Sequence, residues 1–437
     1  MNLISHQINS LSGEVICPGD KSISQRILII GFLLNSRMEI KGFLDAKDPN
    51  STLIALNGIG AAIKKDNGLI YLSKRDDYLK STPKDLNLGN SGTGMRLILG
   101  LLSGLGINAT LVGDQSLSNR PMSRVIDPLR AMGVEIESND GKAPIKILGG
   151  DICNNFEYEM PIASAQVKSC LMIAALASNN AISIKEPKTS RDHTERMIEY
   201  FKGDIKYGDN QNKGLIKLSN KDLIPKESYD IVGDFSSASF IIVAALVSPE
   251  SKVVIKNVGL NPTRNGLLKV LSLMGANIEI KNVKNICNEE SGDILVKSSN
   301  LNGVDIPEDI IPNIIDEIPI LSIAAAFAEG TTNIKNAAEL RVKESDRINA
   351  IAEGLKKLNI NHEVFDDGLS ITGTNGFVDI NEEINSFNDH RIAMSFLISG
   401  IRSKNCVRVK NCKNIETSFP HFKDIMNSLG MKINEKD

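Results

Sequence analysis

Hydrophobic and polar positions follow a pattern that returns six times along this chain. A short polar loop opens a helix-length apolar run, and a β-rich stretch follows. The loops are Asp20-Lys21-Ser22, Asn90-Ser91-Gly92-Thr93, Ser164-Ala165-Gln166, Asp234-Phe235-Ser236, Asp316-Glu317 and Asn388-Asp389-His390-Arg391. The apolar runs are ISQRILIIGFLL, GMRLILGLLSG, VKSCLMIAALAS, SASFIIVAALVS, IPILSIAAAFAEG and IAMSFLISGI, and their length predicts helices. The stretches after them, MEIKGF, NATLVGD, NAISIKEP, SKVVIKNV, TTNIKNA and NCVRVKN, read as strands.

A second signature keeps the same register. An amphipathic helix ends near a glycine and leads into a strand in LNGIGAAIKK, LRAMGVEIE, YFKGDIKY, LSLMGANIEI, LKKLNINHEV and MNSLGMKINE. The fifth copy has Asn359 where the others have glycine, which still suits a left-handed helix cap. The period of roughly 70–80 residues exceeds that of solenoid repeats. Six α/β units divide into three plus three. Residues 1–17 precede the first loop and are expected to add a strand to the last three units. The expected domains are 18–235, and 1–17 plus 236–437. The chain would cross between them near 18–20 and 233–237, and two crossings make a hinge that can close over ligands and expel water.

At 437 residues, two domains are the ordinary expectation. The formal net charge of −3 and the absence of Trp argue against nucleic acid, so any basic site is local. No apolar run is long enough for a transmembrane helix. The N-terminal stretch lacks the pattern of a secretory signal, and the six scattered cysteines form no CxxC pair. A cytoplasmic protein with reduced thiols and no zinc site is expected.

The loops carry the chemistry. Free N–H groups and the helix dipole make a helix N-terminus attractive to anions. Lys21, Ser22 and Arg26 offer a point charge, a hydroxyl and a fork at one such end, which suits phosphate or carboxylate. Gly89-Asn90-Ser91-Gly92-Thr93-Gly94-Met95-Arg96 lets a ligand approach the backbone closely, but is neither a P-loop nor GxGxxG. Arg120 precedes a proline, which biases it to extended backbone. Ser164, Gln166 and Lys168 add hydroxyl, amide and amine groups. Asp316-Glu317 reads equally as a helix cap or as a general base. In Arg341-Val342-Lys343-Glu344-Ser345-Asp346-Arg347, a solvated helix is the ordinary meaning, with Lys343 and Arg347 on one face. Each segment alone is compatible with ordinary capping. Together they place Lys, Arg, Ser or carboxylate at one equivalent end of nearly every repeat, which points to a small-molecule site for several anionic groups.

The set PGDKSISQR, LGNSGTGMRL, SNRPM, SAQVKS, SRDHTER, DFSSASF, IIDEIP, RVKESDR and NDHR resembles the EPSP synthase (3-phosphoshikimate 1-carboxyvinyltransferase) family, in family order and over essentially the whole chain. The resemblance implies an α/β fold, a two-domain inside-out barrel of six βαβαββ units. It implies that shikimate 3-phosphate and phosphoenolpyruvate condense to 5-enolpyruvylshikimate 3-phosphate and phosphate, on the way to chorismate and the aromatic amino acids. Neither a metal nor another cofactor is implied, and a monomer is expected.

Carried over by position, the resemblance gives shikimate 3-phosphate to Lys21, Ser22, Arg26, Ser164, Ala165, Gln166, Ser190, Asp316 and Lys343. Phosphoenolpyruvate falls to Lys21, Asn90, Gly92, Arg120, Gln166, Arg347 and Arg391. Asp316 would accept the 5-hydroxyl proton, and Glu344 and Lys21 would share proton transfer at the methylene carbon. Gly92 is the small residue of glyphosate-sensitive members, so glyphosate inhibition is expected. His193 stands where some members have a tyrosine, and Glu416 where some have a lysine near Thr417. The related UDP-N-acetylglucosamine enolpyruvyl transferases share the fold, but use a loop cysteine and a Lys-Asn pair where this chain has Lys21-Ser22. A non-catalytic phosphometabolite-binding protein would keep the cations without needing Asp316 and Glu344.

Overall fold

The computed structural model describes residues 1–74, 85–209, 212–380 and 382–435. The chain forms two compact units. The inserted unit holds residues 19–231 and 285–289, and the terminal unit holds 1–18, 232–284 and 290–437. Residues 285–289 lie within the stretch that the sequence reading gives to the C-terminal half. They are the turn of a hairpin, and there Glu289 meets His193 Nδ1 at 2.7 Å and Arg196 Nη1 donates to Asn288 O at 3.1 Å.

In the inserted unit the helix pairs are α1 (Lys21–Leu34) and α2 (Lys47–Gly58), α3 (Gly92–Leu105) and α4 (Ser123–Ala131), and α5 (Ala165–Ala177) and α6 (His193–Tyr200). In the terminal unit they are α7 (Phe235–Val247) and α8 (Gly266–Leu273), α9 (Ile318–Ala326) and α10 (Arg347–Lys357), and α11 (His390–Ser399) and α12 (Phe422–Ser428). The first helix of every pair is the apolar one. All residues of α7, α9 and α11 are buried, so these helices form the inside of their unit. The strands lie outside them. Strand Lys142–Gly150 shows why: Ala143, Ile145 and Ile147 are buried while Lys142, Pro144 and Lys146 are exposed.

Each repeat makes its own sheet in the same spatial order, with one parallel edge pair followed by two antiparallel pairings. The fifth sheet has three strands, and two isolated parallel bridges, Asn302–Glu329 and Asp305–Asn333, stand where its fourth would be. The repeats exchange strands over long distances. Ser228–Asp230 pairs in parallel with Met38–Lys41, closing the first sheet from the far end of the third repeat. The N-terminal segment supplies two strands, not one. Ser12–Ile16 joins the fourth sheet beside Lys252–Gly259, and Leu3–Ser5 inserts between Val407–Lys410 and Ile433–Glu435 in the sixth.

The helix-ending signature has one departure. Gly60, Gly133, Gly275, Asn359 and Gly430 have positive φ, but in YFKGD the left-handed residue is Lys202 (φ 63°) and not the glycine. Gly203 is needed for space, since a Cβ there would lie 2.3 Å from Ile198 Cγ2.

Helices α3 and α5 touch through small residues. A Cβ on Gly100 would lie 2.3 Å from Cys170 O, and one on Gly104 would lie 2.3 Å from Ala174 O. Gly100→Ala is therefore expected to cost about 1–3 kcal/mol by overpacking, partly offset by alanine's better helix propensity. A lower urea midpoint at unchanged slope checks this. The same burial pushes the Cys170 thiol up to about 12. No disulfide joins the cysteines, and among the described residues no helix is long and apolar enough to cross a membrane.

Candidate active site

In both units the N-termini of the three buried helices are tied together by side chains. Five of the six are capped as their loops predict. Asp20, Ser91, Ser164, Asp234 and Asp389 accept from the backbone N–H of Ile23, Gly94, Val167, Ser236 and Arg391 respectively.

In the inserted unit, Gln25 on α1 donates to the Ser91 and Thr52 hydroxyls, joining α1 to α3 and α2. Gln166 on α5 is fixed at both ends of its amide: Oε1 accepts from Arg96 Nη1 at 2.8 Å, and Nε2 donates to Thr93 Oγ1 at 2.9 Å. Arg26 does not project outward. It is buried, with Nε donating to Thr194 Oγ1 at 2.8 Å, Nη2 to Ser169 Oγ at 3.0 Å and Nη1 to Ser22 O at 3.1 Å, a strut between α1, α5 and α6. Lys21 is held by Asp48 at 3.3 Å. Arg120 donates to Asn90 Oδ1 at 2.6 Å, and Asn90 donates in turn to Asp114 at 2.8 Å. Asn90, Gly92, Arg120 and Gln166 therefore share one corner, together with Arg96.

Arg96 was not among the expected ligand-binding residues. Its signal was available, since it follows Gly92 by four positions as Arg26 follows Ser22. Ser190 closes the same unit's polar set through its hydroxyl bond to Glu186 at 2.6 Å. His193 is buried against Glu289 and offers no stacking face.

In the terminal unit, Ser236 on α7 donates to Glu317 at the start of α9, and Arg264 Nη2 donates to Ser236 Oγ at 2.6 Å. Arg391 on α11 reaches Asp316 O at 2.8 Å and lies 3.6 Å from Glu317 Oε1. The cap reading of Asp316 fails. Glu317 occupies the cap position of α9 and makes no side-chain cap bond. The Asp316 carboxylate instead meets Arg347 at 3.4 Å, Arg391 at 3.9 Å and Lys343 at 4.0 Å.

The charged run around Lys343 is also not one helix face. A 3-10 turn, Ala338–Val342, ends before it, Lys343 lies in a bend, and α10 starts only at Arg347 because Asp346 caps it through Asn349 N. Lys343, in the break, and Arg347, at the start of α10, both reach Asp316 Oδ1. Arg347 is 1% exposed, with Nε on Asp389 Oδ2 at 2.8 Å and Nη2 on Glu344 Oε2 at 2.6 Å. Burial works against its charge, but Asp389, Glu344 and Asp316 outweigh this and raise its pKa. These carboxylates are matched by cations, and among the described residues no group of His, Cys, Asp or Glu is arranged to hold a metal ion.

In each unit the helix ends present hydroxyls and guanidinium forks, and in the terminal unit also a carboxylate held among three cations, groups of a kind that suit anionic ligands. The EPSP synthase (3-phosphoshikimate 1-carboxyvinyltransferase) family model matches residues 5–426. The 3-phosphoshikimate 1-carboxyvinyltransferase of Petrotoga mobilis is 47% identical over 424 residues, covering 96% of this chain and 97% of its own. That of Vesicomyosocius okutanii is 44% identical over 427 residues, covering 97% of each. An EPSP synthase structure from Acinetobacter baumannii superposes with a TM-score of 0.86 at 36% identity, covering 99% of this chain and 100% of that one. The chain belongs to the EPSP synthase family, and it is a transferase acting in enolpyruvyl transfer in the shikimate pathway.

Proposed function

We propose that this chain moves the enolpyruvyl group of phosphoenolpyruvate to the 5-hydroxyl of shikimate 3-phosphate, with Asp316 as the base. The observation that carries the reading is the Asp316 carboxylate with Arg347, Arg391 and Lys343 all within 4.0 Å. The base is thus set beside cations able to hold the anionic oxygens of the substrates.

In this reading the 5-hydroxyl gives its proton to Asp316 as its oxygen attacks C2 of phosphoenolpyruvate, and C3 gains a proton. The tetrahedral adduct then loses the C3 proton and phosphate, restoring the double bond. Glu344, bound to Arg347, and Lys21 are the candidates for the C3 transfers. Arg347 and Arg391 take phosphoenolpyruvate, and Lys343 the shikimate hydroxyl side. In the inserted unit, Lys21, Ser22, Arg26, Ser164, Ala165, Gln166 and Ser190 take the phosphate and ring of shikimate 3-phosphate. Asn90, Gly92, Arg120 and Gln166, together with Lys21, take phosphoenolpyruvate. The fixed Gln166 amide supports this, because it does not have to reorganise to present its remaining N–H group.

The test is phosphate release with phosphoenolpyruvate and shikimate 3-phosphate together, and with each alone. Release that requires both is expected. Turnover with UDP-N-acetylglucosamine in place of shikimate 3-phosphate would overturn the acceptor assignment.

A further inference from the structure

Asp316 meets three cations, yet each of them lies nearer to another carboxylate. Arg347 Nη1 is 3.4 Å from Asp316 Oδ1, whereas its Nη2 is 2.6 Å from Glu344 Oε2 and its Nε is 2.8 Å from Asp389 Oδ2. Arg391 Nη2 is 3.9 Å from Asp316 Oδ2, and its Nη1 is 3.6 Å from Glu317 Oε1. Lys343 shows the widest difference, with Nζ 4.0 Å from Asp316 Oδ1 and 2.7 Å from Glu339 Oε1.

Glu344, Asp389 and Glu317 already have places in the site, as a candidate for proton transfer, a helix cap and the acceptor for Ser236. The reaction does not otherwise use Glu339. It lies in the 3-10 turn Ala338–Val342, and Lys343 follows in the bend. Its side chain is 40% exposed, against 14% for that of Asp316. A Glu–Lys pair of such exposure is ordinarily a solvated contact of little worth. What sets this one apart is its third member. The same ammonium stands 4.0 Å from the carboxylate read as the base, which is the more buried of the two and so less screened by solvent.

That distance matters to the chemistry. A carboxylate in close contact with a cation holds a proton less firmly. A weaker base takes the hydroxyl proton more slowly. The cations have to be near enough to hold anionic substrate groups without closing onto the base, and the outer carboxylates draw them outward.

We propose that Glu339 is a positioning residue that holds Lys343 off Asp316, and so keeps the base strong enough to take the 5-hydroxyl proton. Without Glu339, the ammonium on its flexible four-carbon stem closes onto Asp316 Oδ1. Arg347 and Arg391 keep their own partners, so the loss falls on proton transfer and not on phosphoenolpyruvate binding. This rests on the reading of Asp316 as the base.

The experiment is steady-state kinetics of the whole enzyme with both substrates varied, beside a thermal melt of each variant. Glu339→Ala should lower kcat by about three- to tenfold, with KM for phosphoenolpyruvate and the melting temperature unchanged. Glu339→Asp keeps the charge and should regain most of the lost kcat. Once Lys343 is gone, Glu339 has no ammonium to hold. Adding Glu339→Ala to Lys343→Ala should therefore change kcat by less than about twofold. A wild-type kcat in Glu339→Ala makes the contact a surface ion pair only and overturns the inference. So does a loss that recurs in full in the Lys343→Ala background, or one matched by an equal rise in KM for phosphoenolpyruvate. Should Lys343→Ala turn over too slowly to assay, the split between kcat and KM and the recovery in Glu339→Asp carry the test. These results leave the site reading standing, whereas a kcat near wild type in Asp316→Ala overturns the base and this inference together.

Discussion

Asp316→Ala is expected to lower kcat by about 100- to 10,000-fold, the range for loss of a positioned general base. It should not weaken phosphoenolpyruvate binding. The carboxylate lies among Arg347, Arg391 and Lys343, and its removal leaves those cations less neutralised toward an anionic ligand. KM for phosphoenolpyruvate should therefore stay level or fall, and the loss should sit in kcat. The fold has no reason to fail, because Arg347 keeps Asp389 and Glu344. Steady-state kinetics with both substrates varied, beside a thermal melt, checks this. A kcat within about threefold of wild type would remove Asp316 from proton transfer, and a large rise in KM with kcat intact would make it a binding group only.

Gly92→Ala should act on the other parameter. A Cβ at this position would lie 3.0 Å from Arg96 Nη1 and 3.1 Å from Arg120 Nη1, so the methyl wedges against two guanidinium ends at once. Arg96 cannot easily yield, being held by Gly92 O, Gln166 Oε1 and Pro121 O. Arg120 gives way instead, and its bond to Asn90 is strained or lost. KM for phosphoenolpyruvate should rise on the order of tenfold, equivalent to about 1.4 kcal/mol, with a smaller change in kcat. On the proposed placement of phosphoenolpyruvate beside Gly92, the glyphosate concentration for half-inhibition should rise by a larger factor. Unchanged KM and unchanged inhibition would show that Arg96 and Arg120 accommodate the methyl, and would detach Gly92 from that contact.

Much of the fold is readable one-dimensionally. Five of the six polar loops cap their buried helices because Asp and Ser side chains satisfy backbone donors that any helix start exposes. Asn359 is a left-handed cap with φ 56°, as its place in the repeat predicts. Other features depend on neighbours. Asp316 and Asp389 both precede apolar helices, yet Asp389 is a cap and also the partner of Arg347, while Asp316 is no cap and faces three cations. Local sequence does not separate them: Arg347 reaches both carboxylates, and the difference is that Asp389 sits at its helix cap whereas Glu317 takes that place after Asp316. The charged run at 341–347 reads as a helix face until Asp346 restarts the helix, and Lys343, in the break, and Arg347, after it, both reach Asp316.

By itself, the sequence determined the repeat, the helix ends, the anionic character of the ligands and, through its motifs, the family. These are local or compositional properties, fixed by hydrogen-bond donors, side-chain charge and apolar spacing within a few turns. Tertiary structure alone decided the strand exchanges at 3–5, 12–16 and 228–230, the burial of Arg26 and Arg96 as struts, and the joining of Glu186 to Ser190. Each of these rests on a contact whose energy depends on a partner far along the chain, and only the folded packing brings that partner within hydrogen-bond distance.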